Sequence, residues 1–275
     1  MEILTAFILI LVSSLIIGVL LSLCSHFFAV KEDPKKIQIR ECLPGINCGA
    51  CGYKGCDDYA DALAKGESKP NLCVPGAQGV ADTIGDILGI EAEPFVDVVA
   101  FVACNGTCGA TENNVEYEGV HSCRAAAMTY GGASKCKYGC MGFGDCAATC
   151  PSGAICFDSG VARVDTSLCL GCGMCVETCP KHIITMVSQY TKTIVVCNNK
   201  QKGADARKVC TNACIGCKKC EKTCPSEAIA VIDNLAVIDY DKCTNCADCV
   251  KECPTGCLKT VFFPDLSDDV VITKE

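Results

Sequence analysis

The first feature along the chain is an apolar run. From Ile3 to Val30 there is no Asp, Glu, Lys or Arg. At ~1.5 Å per helical residue this is enough for a ~30 Å hydrocarbon core. Lys31, Lys35 and Lys36 follow at once, whereas only Glu2 and the α-amino group lie on the other side. This asymmetry predicts a single-pass helix with residues 1–36 as anchor and basic flank. The remaining chain is then expected on the cytoplasmic face of the cell inner membrane. A signal peptide fits poorly, since neither a basic leading region nor a small-residue cleavage site is present.

Beyond the anchor the pattern shortens. Val80, Ile84, Ile87 and Leu88 recur at helical spacing, Pro94 interrupts, and Phe95–Cys104 reads as a buried strand. Asp57 or Asp58 is placed to cap a helix reaching about Lys65. Four apolar segments, at 152–165, 181–187, 226–239 and 255–263, each follow a Cys-Pro pair. They read as a turn or short helix and then hairpin strands. The expected class is α+β, built from short elements.

Such short elements cannot bury a large core. The chain of 275 residues has no Trp and only 6% aromatic residues, but 29 cysteines. That density suggests either a disulfide scaffold or metal. The odd count and the spacings favour metal. Cys169–Pro180 is C-x2-C-x2-C-x3-C-P, the ligand run of a bacterial [4Fe–4S] ferredoxin. It recurs at Cys214–Pro225 and Cys243–Pro254, with a distorted copy at Cys136–Pro151. In paired runs the fourth Cys ligates the other cluster. The expected sites are therefore Cys136, Cys140, Cys146 and Cys179; Cys150, Cys169, Cys172 and Cys175; Cys214, Cys217, Cys220 and Cys253; and Cys224, Cys243, Cys246 and Cys249. In the distorted run Phe143 stands where a ligand belongs, and Cys136 is the expected substitute; a [3Fe–4S] cluster or no cluster is the alternative.

A fifth set, Cys48, Cys51, Cys56 and Cys73, lies in a glycine-rich loop and reads as a [4Fe–4S] module rather than a zinc knuckle. Five [4Fe–4S] clusters are thus expected. A sixth, involving Cys104, Cys108 and Cys123 with a ligand from elsewhere, is the sharper of two readings for the middle cysteines; buried thiols are the other. Cys42 reads as a spare thiol, Cys156 and Cys257 as packing, and Cys197 and Cys210 stay undecided. VACNGT at 102–107 resembles VVCNNK at 195–200, so Cys104 aligns with Cys197 and Cys136 with Cys210, as in a duplication. The expected domains are 37–95 (first cluster module), 96–135 (connector), 136–195 and 196–275 (two ferredoxin units).

The net charge of −8 becomes about −18 once five oxidised clusters each add about −2. Nucleic acid is excluded as a bulk-field partner. His26, His121 and His182 are the only histidines. No nucleotide-binding glycine fingerprint or catalytic set accompanies the cysteines, so a self-contained active site is not expected. Lys200, Lys202, Arg207, Lys208, Lys218, Lys219 and Lys222 are read either as a solvated face or as a docking patch for an acidic soluble ferredoxin.

The whole arrangement resembles the B subunit of the Rnf complex, in its long form with two ferredoxin units. The resemblance rests on the N-terminal span, LPGINCGACGYKGC, CKYGCMGFGDC and the paired runs. It implies a membrane translocase, a ferredoxin:NAD+ oxidoreductase coupled to Na+ or H+ movement. It also implies other complex subunits as partners, with reduced ferredoxin as electron donor. The alternative is a membrane-tethered polyferredoxin serving another reductase or hydrogenase.

Overall fold

The computed structural model describes residues 2–27, 33–93 and 97–261. Lys31, the Phe95 end of the expected strand and the last residues of the 255–263 segment lie outside them. Helix α1 spans Glu2–Phe27. Its described side chains, those of residues 7–23, are all exposed. Among the described residues no helix is long and apolar enough to cross a membrane; the stretch 7–23 falls just short of the ~20 residues a span needs.

Helices α2 (Pro34–Cys42), α3 (Cys56–Ala64) and α4 (Ala77–Leu88) form a small bundle. Ile39, Leu43, Tyr59, Leu63 and Ile84 bury their side chains there. Asp33 caps α2, accepting the Lys35 N–H at 2.9 Å, with Pro34 in the first turn, where its missing N–H costs nothing. Neither Asp57 nor Asp58 caps α3, contrary to expectation: both sit in the first turn, and the free Cys56 N–H is taken by Asn47 Oδ1 at 2.8 Å. The glycine loop has already turned Asn47 back onto the helix start. Gly89, at φ 71°, closes α4 with a left-handed cap.

Two ferredoxin units follow, built alike. The first has β1 (Val98–Val102), α5 (Cys123–Tyr130), α6 (Asp145–Thr149), β2 (Ile155–Asp158), β3 (Val161–Val164), α7 (Met174–Thr178) and β4 (Ile184–Ser188). The second has β5 (Thr193–Val195), α8 (Gly203–Val209), α9 (Lys219–Thr223), β6 (Ile229–Ile232), β7 (Leu235–Ile238), α10 (Asp248–Lys251) and β8 (Leu258–Thr260). The expected hairpins are β2–β3 and β6–β7, each closed by two residues at positive φ: Ser159 (48°) and Gly160 (83°), and Asp233 (49°) and Asn234 (64°). Such turns match the twist of the strands they join. The other two segments form no hairpin. β4 pairs antiparallel with β1, and β8 with β5, so a strand that precedes each unit closes it. β5, at the end of the stretch assigned to the first unit, therefore belongs to the second. In each unit cysteines fill the centre: Cys146 and Cys175 among Val102, Ile155, Val161 and Ile184, and Cys220 and Cys249 among Ile229, Leu235 and Leu258.

Candidate iron–sulfur centres

Every described cysteine is free, and the fold gathers most of them in fours. Cys73 faces Cys56, Cys48 and Cys51; burial, helped by those thiols, pushes it up to about 11. Cys175 is raised to about 11 by burial and by Cys169, Cys172 and Cys150. Cys220, with Cys214, Cys217 and Cys253, and Cys249, with Cys224, Cys243 and Cys246, rise to about 11 for the same reason. These four groups are the ones the spacing suggested. Cys150 and Cys179, like Cys224 and Cys253, each cross to the partner pocket. Four sulfur donors converging on one pocket are the set that a polycationic iron–sulfur group takes up in place of protons.

The fifth group differs from expectation. Cys146 is raised to about 12 by burial and by Cys140, Cys123 and Cys179. The cavity there is lined by these same four cysteines, and Cys136 is not among them. Cys123 therefore takes the place expected of Cys136. Two anchors explain how. Phe143 stacks against Tyr117 (centroids 5.3 Å apart) and His121 (5.7 Å, edge-on), fixing the segment that leads to Cys123. Asp145 then accepts the Cys123 N–H at 2.9 Å, the Arg124 N–H at 3.0 Å and the Ser122 hydroxyl at 2.8 Å. Burial alone would raise the Asp145 carboxyl, but these donors outweigh it and hold it below its ordinary value.

Cys136 lies instead in a cavity with Cys104, Cys197 and Cys210. The trio expected for a sixth centre is thus dispersed: Cys104 here, Cys123 in the first unit, and Cys108 exposed and in neither pocket. Cys156 is also exposed, on the outer face of β2, and is not a packing residue. Cys257 is buried and lies 3.6 Å from Cys253, in the place that Ile183 holds in the first unit. Its thiol lowers both Cys214 and Cys253 by hydrogen bonding.

The pockets lie end to end. Cys48 is among the charges acting on Cys172, and the side chain of Val74 reaches Gly171. A Cβ at Gly171 would stand 2.5 Å from the Val98 carbonyl and 3.0 Å from Val74, so a glycine is needed at this junction. Crossed cysteines join the two pockets within each unit. The Cys140 N–H points at Cys104 Sγ (3.4 Å), and the Cys214 N–H at Cys197 Sγ (3.3 Å). Lys181 donates to the carbonyls of Gly131 and Lys137 and lies close to both Cys136 and Cys179.

Comparison with known proteins agrees with this architecture. The family described as a putative Fe-S cluster matches residues 43–75, and the 4Fe-4S dicluster domain matches 168–228 and 213–257. The B subunit of a proton-translocating ferredoxin:NAD(+) oxidoreductase complex from Clostridium ljungdahlii is 47% identical over 227 residues, 82% of this chain and 80% of the relative. The B subunit of a Na(+)-translocating counterpart from Acetobacterium woodii is 43% identical over 232 residues, 84% and 70%. The B subunit of an ion-translocating oxidoreductase complex from Methanosarcina acetivorans is 38% identical over 227 residues, 82% and 86%. The chain belongs to the family of Rnf-complex B subunits. Within this family it carries [4Fe–4S] ferredoxin units.

Proposed function

We propose that the chain is the iron–sulfur electron-transfer subunit of a membrane-bound ferredoxin:NAD+ oxidoreductase complex that translocates ions. The observation that carries this reading is the unbroken row of thiol pockets from Cys48 to Cys249. A row of one-electron carriers moves electrons between partners. In this reading five [4Fe–4S] clusters sit at the Cys48, Cys172, Cys146, Cys220 and Cys249 pockets. Residues 3–30 hold the protein in the cytoplasmic membrane, with the cluster domains on the cytoplasmic side. The relatives are named for both protons and Na+ at similar identity, so the coupling ion is not assigned.

Reduced ferredoxin is the donor in this reading. Lys200, Lys202, Arg207, Lys208, Lys218, Lys219 and Lys222 are all exposed, and exposed Cys217 lies among them. Among the described residues two of these cations are in ion pairs, Lys208 with Asp205 and Lys218 with Glu221, both at exposed sites of small worth. A local cationic surface on a polyanion steers an acidic carrier to this spot.

The test uses the intact complex and a version lacking this subunit. Ferredoxin-dependent NAD+ reduction is expected to disappear without the subunit and return on adding it back, while NADH oxidation by artificial acceptors persists. Unchanged ferredoxin-dependent activity in the depleted complex would remove the proposed role. A chain beginning at residue 33 is expected in the soluble fraction with its clusters intact; its retention in salt-washed membranes without partner subunits would count against the anchor.

A further inference from the structure

We propose that the side chains of Thr193 and Cys257 tune the second ferredoxin unit: each donates a hydrogen bond to sulfur in one of its two pockets and makes the cluster there easier to reduce. The inference rests on the iron–sulfur reading of the Cys249 and Cys220 pockets.

An unpartnered hydroxyl is the first observation. Thr193 is 1% exposed, on the inner face of β5. Its Oγ1 is buried without a hydrogen-bond partner. A buried hydroxyl in that state is unfavourable, and Val would fill the same space in a strand without the cost. The side chain lines the same cavity as Cys224, Cys243, Cys246 and Cys249. Sulfur is the acceptor that an iron–sulfur group brings to this cavity.

The first unit supplies the contrast. Val102 pairs with Ile184 and Val195 with Leu258, so Ala100, two residues earlier, is the equivalent of Thr193. The position faces the cysteines there too: the Ala100 N–H points at Cys169 Sγ at 3.5 Å. The crossed cysteines of the two pockets are otherwise matched, Cys150 with Ser152 Oγ at 3.5 Å and Cys224 with Ser226 Oγ at 3.6 Å. A hydroxyl therefore stands in the second unit where the first has only a methyl group.

Cys257 repeats the arrangement at the other pocket. It is the fourth residue after crossed Cys253, the place held by Ile183 after Cys179, Ala154 after Cys150 and Ala228 after Cys224. All four side chains are 2% exposed, so the place is apolar in the other three runs. The Cys257 thiol lies 3.6 Å from Cys253 Sγ and also bonds Cys214, two of the four sulfurs of the Cys220 pocket. Its one proton thus has a ligand sulfur on either side. Lys181 stands beside Cys179 in the first unit, so each donor is measured within its own pocket, against the variant that removes it.

A hydrogen bond donated to cluster sulfur stabilises the reduced form, which carries one more negative charge. It is worth roughly three- to tenfold in the one-electron equilibrium, or ~30–60 mV, with the weaker S–H donor at the lower end. Such a bias favours capture of the electron at the unit where the donor docks.

The test is a reductive titration of the full-length chain, purified anaerobically and followed by EPR. Thr193→Val is expected to lower the midpoint of one cluster by this amount at full iron content, and Thr193→Ser to leave it in place. Cys257→Ala should lower a different cluster, and the double variant both. Should Thr193→Val lose iron, Ala100→Ser decides: it adds a hydroxyl at the matched place and is expected to raise one midpoint equally. An unchanged midpoint in Thr193→Val or Cys257→Ala at full iron content overturns the proposal for that residue. An equal fall in Thr193→Ser, or no rise in Ala100→Ser where that variant decides, overturns it for Thr193. All these outcomes leave the iron–sulfur reading standing; iron absent from the second unit's pockets overturns both.

Discussion

Tyr59 ties two ligand-bearing segments together, and removing its oxygen tests how the first module keeps its cluster. Its ring is 1% exposed between α2, α3 and α4. Its hydroxyl donates to the Lys69 carbonyl at 2.7 Å and accepts the Leu72 N–H at 3.2 Å. Cys56 begins the helix that carries the ring; Cys73 ends the turn that the hydroxyl holds. Tyr59→Phe keeps the packing and leaves a carbonyl and an N–H without partners in a partly buried place. At ~1–1.5 kcal/mol for each lost bond the cost is ~2–3 kcal/mol. If release of iron requires the Cys73 turn to open, that free energy makes the open form ~30- to 150-fold more populated. The assay is iron capture by a strong chelator under anaerobic conditions, with the EPR signal of each cluster followed in time. The first module alone should lose iron at the increased rate. A rate within threefold of the unsubstituted protein, in a folded variant, would refute the reasoning. So would acceleration at every cluster equally, since the effect would then be global.

Cys123→Ala is expected to remove about four Fe, or to leave a three-iron EPR signal, at the Cys146 pocket, whereas Cys136→Ala should spare that pocket's signal; the opposite outcome would restore the grouping expected from spacing. Asp145→Ala strips three hydrogen bonds from the Ser122–Arg124 turn, and at ~1 kcal/mol each it should weaken the same pocket by ~3 kcal/mol, seen as faster chelation, with Asp145→Asn intermediate. Lys218→Glu with Lys219→Glu should slow reduction by ferredoxin ~5- to 10-fold at low salt and flatten its salt dependence; stopped-flow rates unchanged in both respects would dismiss the docking patch.

Legibility followed locality. Four of the five expected thiol groupings could be read because a C-x2-C-x2-C run fixes three ligands by local backbone geometry, and the crossed fourth follows from pairing of runs. The hairpins could be read for the same reason, from Ser159-Gly160 and Asp233-Asn234 between apolar stretches. β1–β4 and β5–β8 could not, because each joins residues more than sixty positions apart with no turn between them to announce the pairing. The Cys104 cavity was hidden more deeply, since its four sulfurs come from four separate segments. Its one trace was the likeness of VACNGT to VVCNNK, which marks equivalent positions but not that both face a shared axis.

That axis explains why Cys123, and not Cys136, accompanies Phe143. Cys136 and Cys210 are equivalent, and both are turned toward the junction of the units, so neither is free to fill a gap in its own run. A substitute had to come from sequence that the second unit lacks. The segment from Cys104 to Cys136 is more than twice as long as that from Cys197 to Cys210, and the surplus contains Tyr117, His121 and Cys123. Phe143 is then less a defect than the anchor of the insertion that replaces the lost thiol. The two units differ in consequence. In the first, the insertion lies over the position where the second exposes Cys217 among lysines. A soluble carrier meets a covered pocket on one side and an open, cationic one on the other. In the proposed reading the donor docks at the second unit, and a substitution that uncovers Phe143 is expected to add no second docking site, because Glu112 and Glu116 line the cavity beside it.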